Sequence, residues 1–214
     1  MGNCSRGRVQ AVANGSAIVI PGLIFLALVI GVGVLLIGAY NRLVELKNRY
    51  QNAYAQIDVQ LRRRHDLIPN LVQTVKGYMK HERETLEAVI AARNSAVSAS
   101  SRAASAPGDP QAVKQVSEAE AVLTGSLGRL FALSESYPDL KADRSMSQLM
   151  EELRSTENRI AFARQAFNDS VTLYNTQRQV FPSNLVAGFG QFFHAELLEE
   201  SAPEVKEVPQ VSFE

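Results

Sequence analysis

The chain has 214 residues, enough for one to one and a half ordinary domains. Its 22 Lys and Arg balance 22 Asp and Glu, so it lacks the positive excess of a typical nucleic-acid-binding domain. One cysteine, Cys4, excludes a disulfide framework and a cysteine zinc finger, and 7% aromatics with no Trp argue against an all-β chain. The expected class is all-α: a single N-terminal transmembrane helix continuing into an antiparallel four-helix bundle.

Residues 1–16 form a short N-terminal tail, and Ala17 to Ala39 carry no charge. That run makes about 34 Å of helix, enough to cross a hydrocarbon core of roughly 30 Å. A secretory signal has a shorter apolar region, about 7–15 residues, so a retained membrane helix is expected. Pro21 falls near its start, where a missing N–H has little effect. Ala27, Gly31 and Gly38 share one face, which predicts close packing of two membrane helices and hence a homo-oligomer. The same residues also fit the general abundance of Gly in membrane helices. Arg6 and Arg8 precede the span, and Arg42, Lys47 and Arg49 follow it. The Lys and Arg count predicts a cytoplasmic C-terminal domain. Arg6 stands where a myristoylation pattern needs Ser or Thr, and no apolar stretch precedes Cys4, so Cys4 is read as incidental.

Beyond Tyr40 apolar residues recur at three- and four-residue steps, the spacing of one helix face. Leu43, Leu46, Tyr50, Ala53, Ile57 and Leu61 predict a helix over about 41–64. Asp66-Leu67-Ile68-Pro69 then predicts a break or sharp kink, with Asp66 capping a second helix from about 67. That helix fades through 95–106 and stops at Pro107-Gly108-Asp109-Pro110. A third is expected over about 111–136 on Val113, Val116, Glu120, Leu123, Leu127 and Leu130. The fourth begins near 143–145, with Ser145 and Gln148 at capping-box spacing, and runs to Phe181-Pro182. Short connections between long helices imply antiparallel neighbours.

Gly188, Phe189, Gly190, Phe192 and Phe193 either close the end of the bundle, which is taken to reach residue 194, or lie against lipid headgroups. Residues 195–214 hold six Glu, one Lys and two Pro, the composition of a disordered acidic tail. Residues 40–80 hold eight basic side chains against three acidic ones.

The chain resembles the LemA family of bacterial membrane proteins. The resemblance is carried by Tyr40-Asn41-Arg42-Leu43-Val44, by the run from Gln56 to Arg64, and by Asp66-Leu67-Ile68-Pro69-Asn70-Leu71-Val72. Thr74-Val75-Lys76-Gly77-Tyr78, His81-Glu82, Tyr137-Pro138-Asp139-Leu140-Lys141-Ala142, Thr156-Glu157-Asn158-Arg159-Ile160-Ala161 and Phe181-Pro182 extend it across roughly residues 40–193. Tyr54 departs from a common Trp, and the N-terminal tail is longer than in many members. The resemblance implies one N-terminal span, a four-helix bundle, a bacterial inner-membrane location and no catalytic residues. It also implies companionship with other membrane proteins, zinc membrane metallopeptidases among them, and relatives in magnetosome membranes.

The residues themselves point away from catalysis. None of His65, His81 and His194 has Glu three residues earlier, as a di-metal bundle site needs. His81-Glu82 begins a zinc-peptidase pattern, but Thr85 stands where the second histidine belongs. No cofactor and no metal is therefore expected. Arg62, Arg63 and Arg64 lie about 35 Å beyond Ala39 along a straight helix, several Debye lengths from the headgroups. Their expected role is pairing with Glu120 or Glu157, and Glu120 on an apolar stripe needs such a partner. Lipid or partner binding by these arginines is the alternative. The expected function is a non-enzymatic membrane scaffold or self-assembling organiser, with the bilayer and further copies as partners and no nucleic acid. The rival is an adaptor of a membrane protease that docks through the acidic tail.

Overall fold

Helix follows directly from the three- and four-residue apolar spacing, and a computed structural model describes the result for residues 4–198, with side chains from residue 21 onward. The elements are α1 (Cys4–Tyr78), α2 (Arg83–Ser105), α3 (Pro110–Ser134), α4 (Pro138–Ala142), α5 (Arg144–Gln179) and α6 (Ser183–Phe189). No strand occurs among the described residues, so the chain is all-α, with four long helices and two short ones. Residues 199–214, most of the expected acidic tail, lie outside the described residues, as does the side chain of Cys4.

Of the break or sharp kink expected at Asp66–Pro69, the break does not occur: α1 runs as one helix for 75 residues. Pro69 has no N–H to give to the carbonyl four residues back, that of His65. Arg93 Nε on α2 donates to that carbonyl instead, at 3.1 Å. Asp66 therefore caps nothing, and its carboxylate lies 3.9 Å from Arg93 Nη2. The α1 backbone also begins at Cys4, within the stretch set apart as a tail.

The turn signals act through identifiable bonds. Asp109 caps α3 by accepting from Ala112 N–H at 2.9 Å, with Pro110 at the first helical position. Gly108 has φ +86°, and a Cβ there would lie 3.0 Å from Tyr50 Cε2 and 3.2 Å from Ala195 Cβ. The turn thus needs Gly both for its left-handed backbone and for this close approach. The cap of α5 is Asp143 rather than the expected Ser145. Its Oδ1 accepts from Ser145 N–H at 2.7 Å and Met146 N–H at 3.1 Å.

The chain divides into two compact units. One comprises Leu46–Thr176 with the described residues from Phe193 onward. Its aromatic layer stacks Tyr50 and Tyr54 of α1 against Phe167 and Tyr174 of α5, with ring centroids 5.1–6.4 Å apart. Its aliphatic layer joins Ile68, Leu71 and Val75 of α1 to Leu86 and Val89 of α2 and to Leu123, Leu127 and Leu130 of α3. Each buried Leu or Ile stabilises the fold by roughly 1.5–3 kcal/mol relative to exposure.

Residues 193–198 are strapped along α5 in the same unit. Asn175 exchanges two hydrogen bonds with the backbone of Ala195, at 2.8 and 3.1 Å. Asn168 does the same with Leu198, at 3.0 and 2.9 Å. Ala195 and Leu198 are buried, which corrects the expected start of a tail at residue 195.

The other unit comprises Met1–Glu45 with Gln177–Phe192. Its part of α1 exposes the large apolar residues between Leu23 and Ile37, and α1 is the one helix among the described residues long and apolar enough to cross a membrane. The ring of Tyr40 meets that of Phe192 edge-on, 5.5 Å between centroids. Gln177 Nε2 donates to Ser183 Oγ at 2.7 Å, which ties the start of α6 to the end of α5.

Candidate functional site

Three polar side chains interrupt the apolar seam between the aromatic and aliphatic layers. Arg64 and His65 fall on α1 between Leu61 and Ile68, both core positions, and Glu120 falls on α3 between Val116 and Leu123. Helical spacing therefore carries all three inward, where Arg64 and Glu120 are only 2% and 1% exposed. A buried charge needs a partner and filled hydrogen-bond positions. Arg64 Nη1 donates to Glu120 Oε2 at 2.9 Å. Its Nη2 donates to Thr124 Oγ1 at 2.8 Å and pairs with Glu157 Oε1 at 2.8 Å.

The second oxygen of Glu120 lies 2.7 Å from His65 Nε2. In the tautomer that carries a proton on Nε2, the imidazole donates to this carboxylate oxygen. Both oxygens of Glu120 are thereby occupied. The cluster links α1, α3 and α5 through side chains and adds α2 through the Arg93 bond to the His65 carbonyl. The cluster thus acts as a lock between helices.

The rest of the arginine triplet stays outside this lock. Arg62 pairs with Asp58 one turn back on α1 at 2.8 Å, and Arg63 lies 3.6 Å from Glu152 with both groups half exposed. Sequence reasoning missed His65, Thr124 and Arg93. The signal for His65 is its place on the α1 stripe, the same anomaly that marks Glu120. The role of Arg93 has no such signal, since it depends on a carbonyl that Pro69 frees on another helix.

Neighbouring groups feel the burial. The phenol of Tyr54 is held well above its ordinary value by burial and by the nearby Asp58 and Glu120 carboxylates, with Arg164 opposing. Its hydroxyl is buried with no hydrogen-bond partner among the described residues. Burial also raises Tyr50. At the far end of α1, Tyr78 donates to Asp143 Oδ2 at 2.8 Å. That bond raises Tyr78, while the Met146 backbone N–H and then Tyr78 hold Asp143 below its ordinary 3.8.

On the membrane segment, Ala27, Gly31 and Gly38 are all exposed. A Cβ added at Gly31 or Gly38 meets nothing within 4 Å among the described residues.

These features define an all-helical protein with one apolar N-terminal helix of membrane-crossing length and an ion-paired interior. Residues 53–213 match the LemA family, three quarters of the chain, and the chain belongs to that family. The match takes in residues 199–213 as well as the strapped segment. Magnetosome protein MamQ 2 and Magnetosome protein MamQ 1 of Paramagnetospirillum magneticum are each 26% identical to it, over 75% of this chain and 65% of their own length. The chain thus spans a little under two thirds of those relatives. Protein LemA of Metamycoplasma hominis is 26% identical over 77% of this chain and 71% of its own length.

Proposed function

We propose that the protein is a non-catalytic, single-pass inner-membrane scaffold that self-assembles through its span and presents an antiparallel four-helix bundle on the cytoplasmic side. The observation that carries this reading is α1 itself. One unbroken 75-residue helix bears the apolar span at one end and Arg64 and His65 of the interhelical lock at the other. An apolar helix of this length partitions into the bilayer, and an open small-residue face at Ala27, Gly31 and Gly38 suits close approach of a second copy. Short connections at 79–82, 106–109 and 135–143 support antiparallel long helices. Relatives named for the magnetosome support a role in organising a membrane.

The full chain purified in mild detergent tests this, with its mass read by light scattering and corrected for bound detergent. The reading predicts a defined oligomer that Gly31→Leu shifts toward monomer. A monomeric wild type that carries a co-purifying peptidase would overturn self-assembly in favour of an adaptor role.

A further inference from the structure

The segment from residue 179 to residue 193 contains no charged side chain, yet much of it is exposed. Its helix α6 reverses the usual arrangement of a surface helix. The small residues Ser183 and Ala187 are buried, whereas Leu185 and Phe189, one turn apart on the opposite side, point outward. Phe189 is 92% exposed and Phe181, just before the helix, 78%. Large exposed apolar side chains gathered in one uncharged segment mark a protein or membrane contact rather than an ordinary solvated face.

Its place in the fold selects the bilayer. Residues 179–192 of this segment belong to the same compact unit as the apolar part of α1. Tyr40 is the first residue after the uncharged run 17–39, and Arg42 is the first charge after it, so Tyr40 lies at headgroup depth when the span crosses. Phe192 is held against Tyr40 at 5.5 Å. The end of α6 is fixed to Phe192 in turn. Phe192 N–H donates to the Ala187 carbonyl at 3.4 Å, and a Cβ on Gly190 would lie 2.7 Å from the Phe192 ring. At its other end the Gln177–Ser183 bond fixes α6 to α5. The aromatic surface is therefore held beside the point where α1 leaves the apolar core.

We propose that α6 and Phe181 form a second membrane contact, with Phe181, Leu185 and Phe189 seated in the boundary between headgroups and acyl chains. The inference rests on the reading of α1 as a membrane span and goes beyond it. Two contacts restrict the tilt and rotation of the span, which one helix alone leaves to its neighbours. Aromatic and branched apolar side chains suit this boundary, and the absence of charge in the segment removes the cost of burying one.

The chain has no Trp, so a single introduced Trp reports its own surroundings. The full-length protein is reconstituted in phosphatidylcholine nanodiscs with and without brominated acyl chains, as three variants. Leu28→Trp reports the span, Phe189→Trp reports α6, and Phe162→Trp reports a 74% exposed aromatic of the other unit. The expected result is about twofold quenching by bromine for Leu28→Trp and Phe189→Trp and almost none for Phe162→Trp. Quenching at 28 but not at 189 overturns the second contact and leaves the span intact. No quenching at 28 overturns the span and this inference together. Blue-shifted emission at 189 without bromine quenching assigns the surface to a protein partner and overturns the lipid assignment.

Discussion

Replacing Arg64 and Glu120 by Leu, singly and together, separates a structural lock from a set of independent contacts. In Arg64→Leu, the Glu120 carboxylate stays buried with His65 as its sole remaining side-chain donor. Breaking a buried pair from one side in this way destabilises by about 3–5 kcal/mol, and near-complete burial puts this variant at the upper end. In Glu120→Leu, Arg64 keeps Thr124 and the half-exposed Glu157, so the loss lies nearer 3 kcal/mol. The double variant removes both charges from the apolar seam and leaves neither stranded. It is therefore no less stable than Arg64→Leu alone, with a coupling of about 3 kcal/mol. Guanidinium unfolding of the full-length chain in mild detergent, followed by far-ultraviolet circular dichroism, measures all four corners of the cycle. Losses that add to within about 0.5 kcal/mol would show that Arg64 and Glu120 do not form a lock, since additivity is the behaviour of sites that do not interact.

Four further outcomes follow from the same geometry. His65→Gln, which keeps a donor for Glu120, is more stable than His65→Leu by about 1.5–3 kcal/mol in the same unfolding assay. Arg93→Leu strands the His65 carbonyl and loses about 1–3 kcal/mol, and adding Pro69→Ala recovers part of it by restoring an N–H, as thermal melts of the single and double variants show. Tyr54→Phe removes a buried hydroxyl with no partner, so it is neutral or stabilising by about 1 kcal/mol; a loss above 1 kcal/mol contradicts this. Asp143 is held below its ordinary 3.8, so the unfolded chain takes up its proton first. The cap then contributes fully above the ordinary value and is lost as pH falls through the lower folded one, and Asp143→Ala flattens the acid limb of stability against pH.

Much of this organisation is legible in the chain because it depends on local spacing. The uncharged run 17–39, the apolar stripes and the Pro107–Pro110 turn each need only near neighbours along the sequence to be read. The anomaly of Glu120 is equally local, since a carboxylate among Val116, Leu123 and Leu127 implies a buried cation. Which cation meets it is not local. Arg62, Arg63 and Arg64 have the same composition, and only the phase of α1 separates the buried Arg64 from its exposed neighbours.

The expected break at Pro69 misread the chain for a related reason. Proline disrupts a helix locally, but Arg93 on α2 satisfies the freed carbonyl from outside it. Composition alone marked 195–214 as a tail, whereas Asn168 and Asn175 on α5 bind the backbone of Leu198 and Ala195 whatever the side chains there. The outward face of α6 was half visible as a Phe- and Gly-rich segment. Its orientation depends on Ser183 and Ala187 facing inward, which the sequence of a seven-residue helix leaves open.

Self-assembly through the membrane helix is tested most directly in native membranes. Gly31→Cys lies on the small-residue face, and Val29→Cys lies nearly opposite it on the same helix. Each is placed in a Cys4→Ser background, which has no other thiol. The two variants are oxidised with a membrane-permeant reagent and resolved on a non-reducing gel. Gly31→Cys should give a covalent dimer and Val29→Cys a monomer. Equal dimer yields at the two positions, or none at either, would contradict self-assembly through this helix face.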